Sequence, residues 1–336
     1  MKAYLLKKSG KPEVLKVSEV PTPSPASSHV LVKVSHIGLN YAEILSRRGQ
    51  YSWAPKRPYI PGMEAVGEIV AVGEGVSKDR IGQKVIAGHQ FGSYAEYMEA
   101  KDYLALPAPD FLTEEESASL LVNFMTAWIA LMQLGRMRKG DTVLIQAAAG
   151  GVGTAAVKLA LAQGCHVIGT AGSDEKVQLL KDIGVHHAIN YRKQDFYKEI
   201  KQAEGGVDLV LEVVGGEVFR KSVALLRPFG RVTVAGYASI PLKKWNPLTW
   251  WPAWRDAPKM GISQMAEHSL GIAYTHIGYQ IENPEVVREN FSSMLSFIKE
   301  HKIKPVVGKV FPFGEMPEAH AYMESRQSHG KIVIRL

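Results

Sequence analysis

The sequence predicts an α/β protein in which a doubly wound parallel sheet is joined to a separate β-rich domain. From Asp141 onward, short β-branched runs alternate with amphipathic stretches, in the order TVLIQA, VKLALAQ, HVIGTA, KVQLLKDIG, VDLVLEVVG and RVTVAG. Strands that alternate with helices are typical of a parallel sheet covered on both faces. Residues 1–122 instead show short alternating strands interrupted by Pro and Gly, which indicates a compact β-rich domain.

The predicted division of the chain has three parts. Residues 1–122 form the β-rich domain, residues 123–283 form the parallel-sheet domain, and residues 284–336 return to the first domain. The last boundary rests on the run NPEVVRENFSSMLSFIKEHK, whose periodicity indicates one helix. The short strands PVVGKVFPF and KIVIRL that follow it resemble those of the first domain.

Composition excludes several classes of protein. A chain of 336 residues with 46% hydrophobic and 22% charged residues has enough apolar material for two cores. Its uninterrupted apolar stretches are shorter than ten residues, whereas a spanning helix needs about 20, and the start MKAYLLKKSG lacks the apolar region of a signal peptide. We therefore expect a cytoplasmic protein. The single cysteine, Cys165, excludes an internal disulfide and is predicted to be a buried, inert thiol.

The net charge of +7 does not by itself indicate a nucleic-acid partner. The 40 Lys and Arg residues are scattered along the chain, and no helix-turn-helix, zinc-finger or aromatic RNA-binding signature accompanies them. A phosphate-rich dinucleotide would satisfy the same positive bias. We expect a small-molecule partner and no nucleic acid.

A glycine-rich turn carries the clearest functional signal. The run LIQAAAGGVG at 144–153 follows a strand and begins a helix, which is the context that a Rossmann-type dinucleotide turn requires. Small residues let the backbone approach a pyrophosphate, and the N–H groups and dipole of the helix start favour its negative charge. Ala148 replaces the first glycine of the G-x-G-x-x-G pattern, and a tight turn without a ligand is the alternative. The predicted cofactor contacts are Ala149, Gly150, Gly151, Val152 and Gly153.

The residues beyond the second strand predict NADPH rather than NADH. Folds that prefer NADH place an Asp or Glu about 20 residues beyond the turn, where it repels a 2′-phosphate, but the sequence there reads TAGS. Asp174 follows directly and also fits the first turn of a helix, where a carboxylate complements the dipole. Donors for a 2′-phosphate are available from Ser173, Lys176, Tyr191 and Arg192.

Specific segments carry a family resemblance over essentially the whole chain. These segments are GLNYAEILSRRGQY at 38–51, PGMEAVGEIVAVGEGV at 61–76, FMTAW at 124–128, AAAGGVG at 147–153, GSDEKVQLLKDIG at 172–184, INYR at 189–192 and the terminal GKIVIRL. They resemble the zinc-independent quinone oxidoreductase branch, which is zeta-crystallin-like, of the medium-chain dehydrogenase/reductase superfamily. The resemblance implies a GroES-like catalytic domain, a Rossmann cofactor domain, an active-site cleft between them and a homodimer joined at the edge of the cofactor sheet.

The same resemblance implies the site residues. Zinc-dependent relatives have metal ligands at the positions of Asn40, Met63 and Val122, and an amide, a thioether and an isopropyl group cannot form a tetrahedral zinc site. No metal is therefore expected. Asn40 is expected to orient the substrate, and Tyr51 either to donate a proton to it or only to pack on it. The resemblance places Thr126 and Gly236 beside the cofactor, and Ser173, Lys176 and Tyr191 at its 2′-phosphate.

The predicted reaction is the NADPH-dependent reduction of a quinone or another conjugated carbonyl compound by hydride transfer, in class EC 1.6.5 or 1.3.1. An enoyl-thioester or alkenal reductase, and a catalytically weak NADPH-binding protein with a regulatory or structural role, are the alternatives. The segment KKWNPLTWWPAWRD at 243–256 contains four of the six Trp residues. It could form a wall of the cleft, a dimer contact or a membrane-surface contact, and the sequence leaves these open.

Overall fold

The computed structural model describes residues 1–236 and 257–336, and the side chain of Gln280 is not described. The Trp-rich segment 243–256 lies outside the described residues. The chain divides into two compact units. The first consists of Met1–Asn123, Gly278–Leu295 and Lys304–Leu336, and the second of Phe124–Ile277 and Ser296–Ile303.

The first unit is β-rich and contains the N-terminal and C-terminal segments. Its strands are β1 (Lys2–Tyr4), β2 (Val17–Glu19), β3 (His29–Leu39), β4 (Glu64–Val72), β5 (Lys84–Gly88), β6 (Tyr97–Lys101), β7 (Ala105–Pro107), β14 (Val307–Pro312) and β15 (Lys331–Arg335). Its helices are α1 (Tyr41–Arg48), α2 (Glu114–Ser117), α9 (Ile277–Gln280), the first part of α10 (Pro284–Glu300) and α11 (Met316–Glu324). The first residue of α9, Ile277, is assigned to the second unit.

The main sheet of the first unit joins both ends of the chain. Among the described residues it has the strand order β14-β15-β3-β4-β5-β7, with β6 paired to β3. The terminal strand β15 pairs antiparallel with β3, so that Val333 faces Gly38 in register. A buried apolar cluster that includes Val32, Ile69 and Ile334 forms the core beneath this sheet. The sheet therefore brings α1, the start of β4 and the terminal strand close together.

The second unit is a doubly wound parallel sheet. Its strands are β8 (Thr142–Ile145), β9 (His166–Ala171), β10 (His187–Asn190), β11 (Val207–Glu212), β12 (Leu226–Val234) and β13 (Gly271–Tyr274). Its helices are α3 (Met125–Trp128), α4 (Gly151–Ala162), α5 (Asp174–Ile183), α6 (Phe196–Glu204), α7 (Gly216–Ala224) and α8 (Ile262–His268). Within the described part of the chain the strand order is β10-β9-β8-β11-β12-β13, and all pairs are parallel. This is the Rossmann order, which reverses at β8.

The predicted fold class is confirmed, and the domain bounds differ at the C-terminal return. Residues 278–283, predicted for the second domain, cluster with the first unit, and Ser296–Ile303, predicted for the first, clusters with the second. The reason for the second difference is aromatic packing, because the rings of Phe297 and Trp128 lie 5.6 Å apart. Helix α10 is thus divided at residue 295.

Two further features bear on sequence expectations. The continuous helical segment Glu114–Leu134 is long and apolar enough to cross a membrane by length and composition, with a mean hydropathy of 1.4, but 78% of its window is buried inside the protein, as in a core helix. Cys165 is buried, and burial raises the pKa of its thiol to about 12. The thiol therefore stays protonated at neutral pH, in agreement with an inert role.

Candidate active site

The glycine-rich turn lies at the switch point of the parallel sheet. It leaves β8 through Gln146 and enters α4 at Gly151, with Gly150 as the N-terminal cap. Ala147 has a φ of 50°, in the left-handed region that few residues other than Gly adopt. A Cβ atom on Gly153 would lie 2.4 Å from the Ala147 carbonyl oxygen, so this position requires glycine.

The turn presents backbone donors at the start of α4. The first N–H groups of a helix have no acceptor within the helix, and here they belong to Gly151, Val152 and Gly153. Ala149 is 2% exposed and contributes only a methyl group. This combination of donors, small side chains and a positive dipole end suits a pyrophosphate. All five predicted turn residues therefore lie together.

A buried polar network fixes the strand ends around the turn. Thr170 Oγ1 donates to Gln146 Oε1 at 2.6 Å, and Gln146 Nε2 donates to Ser222 Oγ at 2.9 Å. Ser222 Oγ in turn donates to Glu212 at 3.4 Å, and Glu212 also accepts from the Gly215 N–H at 3.0 Å. Burial raises the pKa of Glu212. The carboxyl ends of β9, β8 and β11 are thereby held in register behind the turn.

The residues predicted to hold a 2′-phosphate lie together where β9 and β10 end. Ser173 begins α5 as its N-terminal cap and accepts from the Lys176 N–H at 3.4 Å. The Tyr191 ring covers Gly172, because a Cβ atom on Gly172 would lie 2.5 Å from the Tyr191 hydroxyl. Burial and then the charge of Arg192 lower the pKa of Lys176. The cations of Lys176 and Arg192 thus lie close enough to repel one another. A bound phosphate dianion would offset this repulsion.

Asp174, the carboxylate next to the predicted 2′-phosphate residues, has two partners within the protein. Asn190 Nδ2 donates to one of its oxygens at 2.7 Å, and Lys193 Nζ pairs with the other at 2.5 Å. The Lys193 and Asn190 contacts lower the pKa of Asp174. Asp174 therefore stays ionised and is paired with Lys193 at the surface, which fits a carboxylate in the first turn of α5.

Two predicted cofactor residues lie elsewhere in the second unit. Thr126 is buried in α3, which packs against α4. Gly236 follows the carboxyl end of β12 by two residues, and a Cβ atom there would meet no atom of the described residues within 4 Å. Among the described residues, Gly236 therefore has no close neighbour at the carboxyl end of β12, and Thr126 lies in a helix that packs against the helix beginning at the turn.

In the first unit, Asn40 lies in a buried polar cluster. Its Nδ2 donates to Gly38 O at 3.1 Å and to Glu64 Oε1 at 3.0 Å. Its Oδ1 accepts from Lys331 Nζ at 2.7 Å and from Asn123 Nδ2 at 3.3 Å. Both donors and both acceptor positions of the amide are therefore in use.

The geometry corrects the predicted role of Asn40. An amide whose four hydrogen-bonding positions are taken inside the protein has none left to orient a substrate. Lys331 is 1% exposed and also pairs with Glu64, which is fully buried. We call Asn40, Glu64 and Lys331 the buried ion-pair cluster. Asn40 holds this cluster in place through its hydrogen bonds to Glu64 and Lys331.

Two buried glutamates tie together the three positions at which zinc-dependent relatives have ligands. Glu43 accepts from the backbone N–H of Asn40 at 2.7 Å and from that of Met63 at 2.9 Å. Glu64 accepts from the backbone N–H of Val122 at 3.0 Å. The protein therefore cross-links these segments with carboxylates. Among the described residues, no three His, Cys, Asp or Glu side chains are arranged to hold a metal ion.

Tyr51 follows α1 by three residues, and two aromatic side chains of the same unit, Trp53 and Tyr279, contact each other edge to face, with ring centroids 4.7 Å apart. Burial, and then the charges of Glu43 and Tyr279, raise the pKa of Tyr51 to about 12. The hydroxyl therefore remains protonated at neutral pH, and it is suited to donate a hydrogen bond to a developing negative charge.

Sequence reasoning did not identify three buried charged residues of the first unit, Glu43, Glu64 and Lys331. Glu43 lies three residues after the helix cap Asn40, a spacing typical of a capping box that could have identified it. Glu64 and Lys331 stand beside apolar strand residues, which is an unusual setting for a charge. Their partnership spans 267 positions of the sequence, and the sequence alone could not reveal it.

The β-rich unit and the Rossmann unit together define a nicotinamide-dependent oxidoreductase of the medium-chain class. Family models match the chain at residues 26–110, described as an alcohol dehydrogenase GroES-like domain, and at residues 183–334, described as a zinc-binding dehydrogenase. The rat quinone oxidoreductase is 32% identical over 342 residues, covering 100% of this chain and 98% of the relative. The chain belongs to the quinone oxidoreductase family of medium-chain dehydrogenases/reductases.

Two other similarities extend this result. The rat synaptic vesicle membrane protein VAT-1 homolog is 34% identical over 315 residues, covering 93% of this chain and 78% of the relative. The structure of the mycobacterial protein Rv1454c in complex with NADPH has a TM-score of 0.88 and 29% identity, covering 100% of both chains. The predicted family is confirmed, and the protein is an oxidoreductase.

Proposed function

We propose that the protein uses NADPH to reduce quinones or other conjugated carbonyl compounds, without a catalytic metal. NADPH is the cofactor. Its pyrophosphate would be held by the turn from Ala149 to Gly153, and its 2′-phosphate by Ser173, Lys176 and Tyr191. The similarity to the NADPH complex of the mycobacterial relative supports this assignment. When bound, NADPH supplies a hydride to the acceptor.

The main support for the proposal is that the three positions at which zinc-dependent relatives have metal ligands carry side chains that do not bind zinc here. All four hydrogen-bonding positions of the Asn40 amide are occupied by groups of the protein. The other two positions carry the thioether of Met63 and the isopropyl group of Val122, so the set does not fit zinc. Reduction of a conjugated acceptor does not require a Lewis acid, because the developing charge is delocalised onto a carbonyl oxygen. Hydrogen-bond donors can then stabilise that oxygen.

Tyr51 is the proposed donor. Because its pKa is about 12, the hydroxyl stays neutral over the working range of pH and can hydrogen-bond to the acceptor oxygen. Full proton transfer from so weak an acid is unfavourable, so we expect stabilisation by a hydrogen bond, with water completing the protonation. Tyr51 would then neither transfer its proton to the substrate nor only pack on it, but would hydrogen-bond to the acceptor oxygen.

The proposed assembly is a homodimer formed through the parallel sheet. Strand β13 is the last strand on one side of the sheet that the described residues form, and an edge strand can pair with a second copy of itself. Tyr274 on this strand is 51% exposed. Sedimentation analysis tests the dimer.

The test of the function is NADPH oxidation against a panel of quinones, enones, alkenals and enoyl thioesters, with and without a strong metal chelator. We expect turnover of quinones or enones that the chelator does not change. Turnover restricted to enoyl thioesters would assign the alternative reductase, and no turnover of any acceptor would favour the NADPH-binding role without catalysis.

A further inference from the structure

Glu43 is a buried carboxyl group whose direct hydrogen-bond partners are neutral. It is 1% exposed, and it accepts from the Asn40 N–H at 2.7 Å, the Met63 N–H at 2.9 Å and the Tyr94 hydroxyl at 2.9 Å. The nearby Lys331 is already paired with Glu64. A carboxylate without a cation of its own, held by neutral donors, is one whose proton affinity the protein can tune.

A directional chain of hydrogen bonds leads from Glu43 to an arginine. Arg47 Nε donates to His320 Nδ1 at 3.3 Å, which assigns the ring proton to Nε2. Nε2 lies 2.9 Å from the Tyr94 hydroxyl, which donates its own proton to Glu43. Burial, and then Arg47, lower the pKa of His320 to about 3, so the ring stays neutral. Arginine does not release its proton, and the chain therefore aims donors at Glu43 rather than conducting protons.

Opposing effects place the ionisation of Glu43 in the working range of pH. Burial raises the pKa of Glu43 to about 7, although the Asn40 N–H, the charge of Lys331 and the Tyr94 hydroxyl all act to lower it. The charge of Glu64 acts in the same direction as burial. The carboxyl group therefore changes its charge near neutral pH.

The charge of Glu43 reaches the proposed donor. After burial, it is the largest influence that raises the pKa of Tyr51. It also contributes to the raised pKa values of Tyr59 and Tyr94. A negative charge near a hydroxyl weakens that hydroxyl as a hydrogen-bond donor to a second negative charge.

We propose that Glu43 is a positioning residue for the reduction, and that its proton state sets how strongly Tyr51 donates a hydrogen bond to the acceptor oxygen. This inference rests on the proposed function. Protonated Glu43 leaves Tyr51 the stronger donor, and ionised Glu43 leaves it the weaker. Glu43 acts through its charge, so no proton passes from it to the product.

All titratable and charged groups around Glu43 enter this balance. Arg47 lies on its own helix, Glu64 at the start of β4, Tyr94 before β6, His320 on α11 and Lys331 on β15. Tyr51 and Tyr59 follow the helix. Of these, His320 stays neutral because of its lowered pKa, and the tyrosines stay protonated because of their raised ones. Glu43 is therefore the group expected to titrate near neutrality.

The experiment is the pH dependence of kcat at saturating NADPH and acceptor. In the wild type, kcat should fall as the pH rises through about 7, by up to roughly tenfold, the change that one unit of pKa in the Tyr51 hydroxyl can produce. Glu43→Gln should remove this step and hold kcat near the acidic plateau. Tyr94→Phe removes a donor to the carboxylate, so the step should move to higher pH. Glu318→Gln, on the exposed face of α11, makes the same charge change and should leave the profile as in the wild type.

A direct titration separates this inference from the proposed function. The infrared difference between wild type and Glu43→Gln should show the carbonyl stretch of the protonated Glu43 carboxyl at low pH. This band should disappear as the pH rises, with a midpoint near 7. A wild-type step that survives unchanged in Glu43→Gln and Tyr94→Phe, or a missing infrared titration, would overturn the role of Glu43 while leaving the reductase activity intact. Absence of turnover with every acceptor, despite that titration, would overturn the proposed function and this role with it.

Discussion

Replacing Lys176 with Ala should weaken NADPH and leave NADH nearly unchanged. Lys176 lies in the first turn of α5, beside the cap Ser173 and within the electrostatic reach of Arg192. Its lowered pKa shows that the ammonium is partly desolvated, which reduces the screening of its attraction to a phosphate. NADH has no 2′-phosphate and does not use this interaction.

The magnitude follows from the type of bond removed. A hydrogen bond to a charged group contributes about 1.5–3 kcal/mol, and each 1.4 kcal/mol corresponds to about tenfold in affinity. We therefore expect the Kd for NADPH to rise by roughly ten- to 150-fold. Titration of the intrinsic fluorescence with each nucleotide at fixed ionic strength measures both constants.

Lys181→Ala is the matched control. It removes the same charge from the last turn of the same helix, where Lys181 is exposed. Its NADPH affinity should remain close to that of the wild type. An equal loss for NADPH and NADH in Lys176→Ala would mean that Lys176 supports the local structure. No loss for either nucleotide would place the 2′-phosphate elsewhere.

Three further predictions concern the turn, the donor and the buried cluster. Gly153→Ala should abolish NADPH binding in equilibrium titrations and lower the Tm, because the new Cβ atom would lie 2.4 Å from a carbonyl oxygen. Gly236→Ala, with no atom of the described residues within 4 Å, should keep the wild-type Tm. Tyr51→Phe should lower kcat by about ten- to a hundredfold in steady-state assays while sparing NADPH binding, and an unchanged kcat would make Tyr51 a packing residue. Lys331→Met should reduce the free energy of unfolding in urea by about 3–5 kcal/mol, because it leaves a buried carboxylate unpaired, and adding Glu64→Gln should recover most of that loss. If the double variant is no more stable than Lys331→Met, the ion pair is not the cause.

The cofactor unit could be predicted from sequence because its signals are local. The alternation of strand and helix gave the parallel sheet, and the run at 144–153 gave the position of the turn. The preference for NADPH was also local, because it depended on the residues directly after β9. Only the state of Asp174 required the structure, since its partner Lys193 is 19 residues away.

The catalytic unit was less predictable because its polar contacts join distant segments. Asn40 was expected to face a substrate, but Lys331 reaches it across 291 positions of the sequence and occupies its carbonyl oxygen. Gly38 has a similar explanation, because a Cβ atom there would lie 2.6 Å from Lys331 Cε. Such close packing of a charge depends on the pairing of β15 with β3, which neither strand reveals alone.

The most direct test of the central claim is a single turnover without metal. The protein is dialysed against a strong chelator, shown to contain no zinc by elemental analysis, loaded with NADPH and mixed with the best quinone or enone while the nicotinamide absorbance is followed. If no metal is needed, all the bound NADPH is oxidised at the rate of the untreated protein. Oxidation that fails after chelation and returns on addition of zinc would contradict that claim.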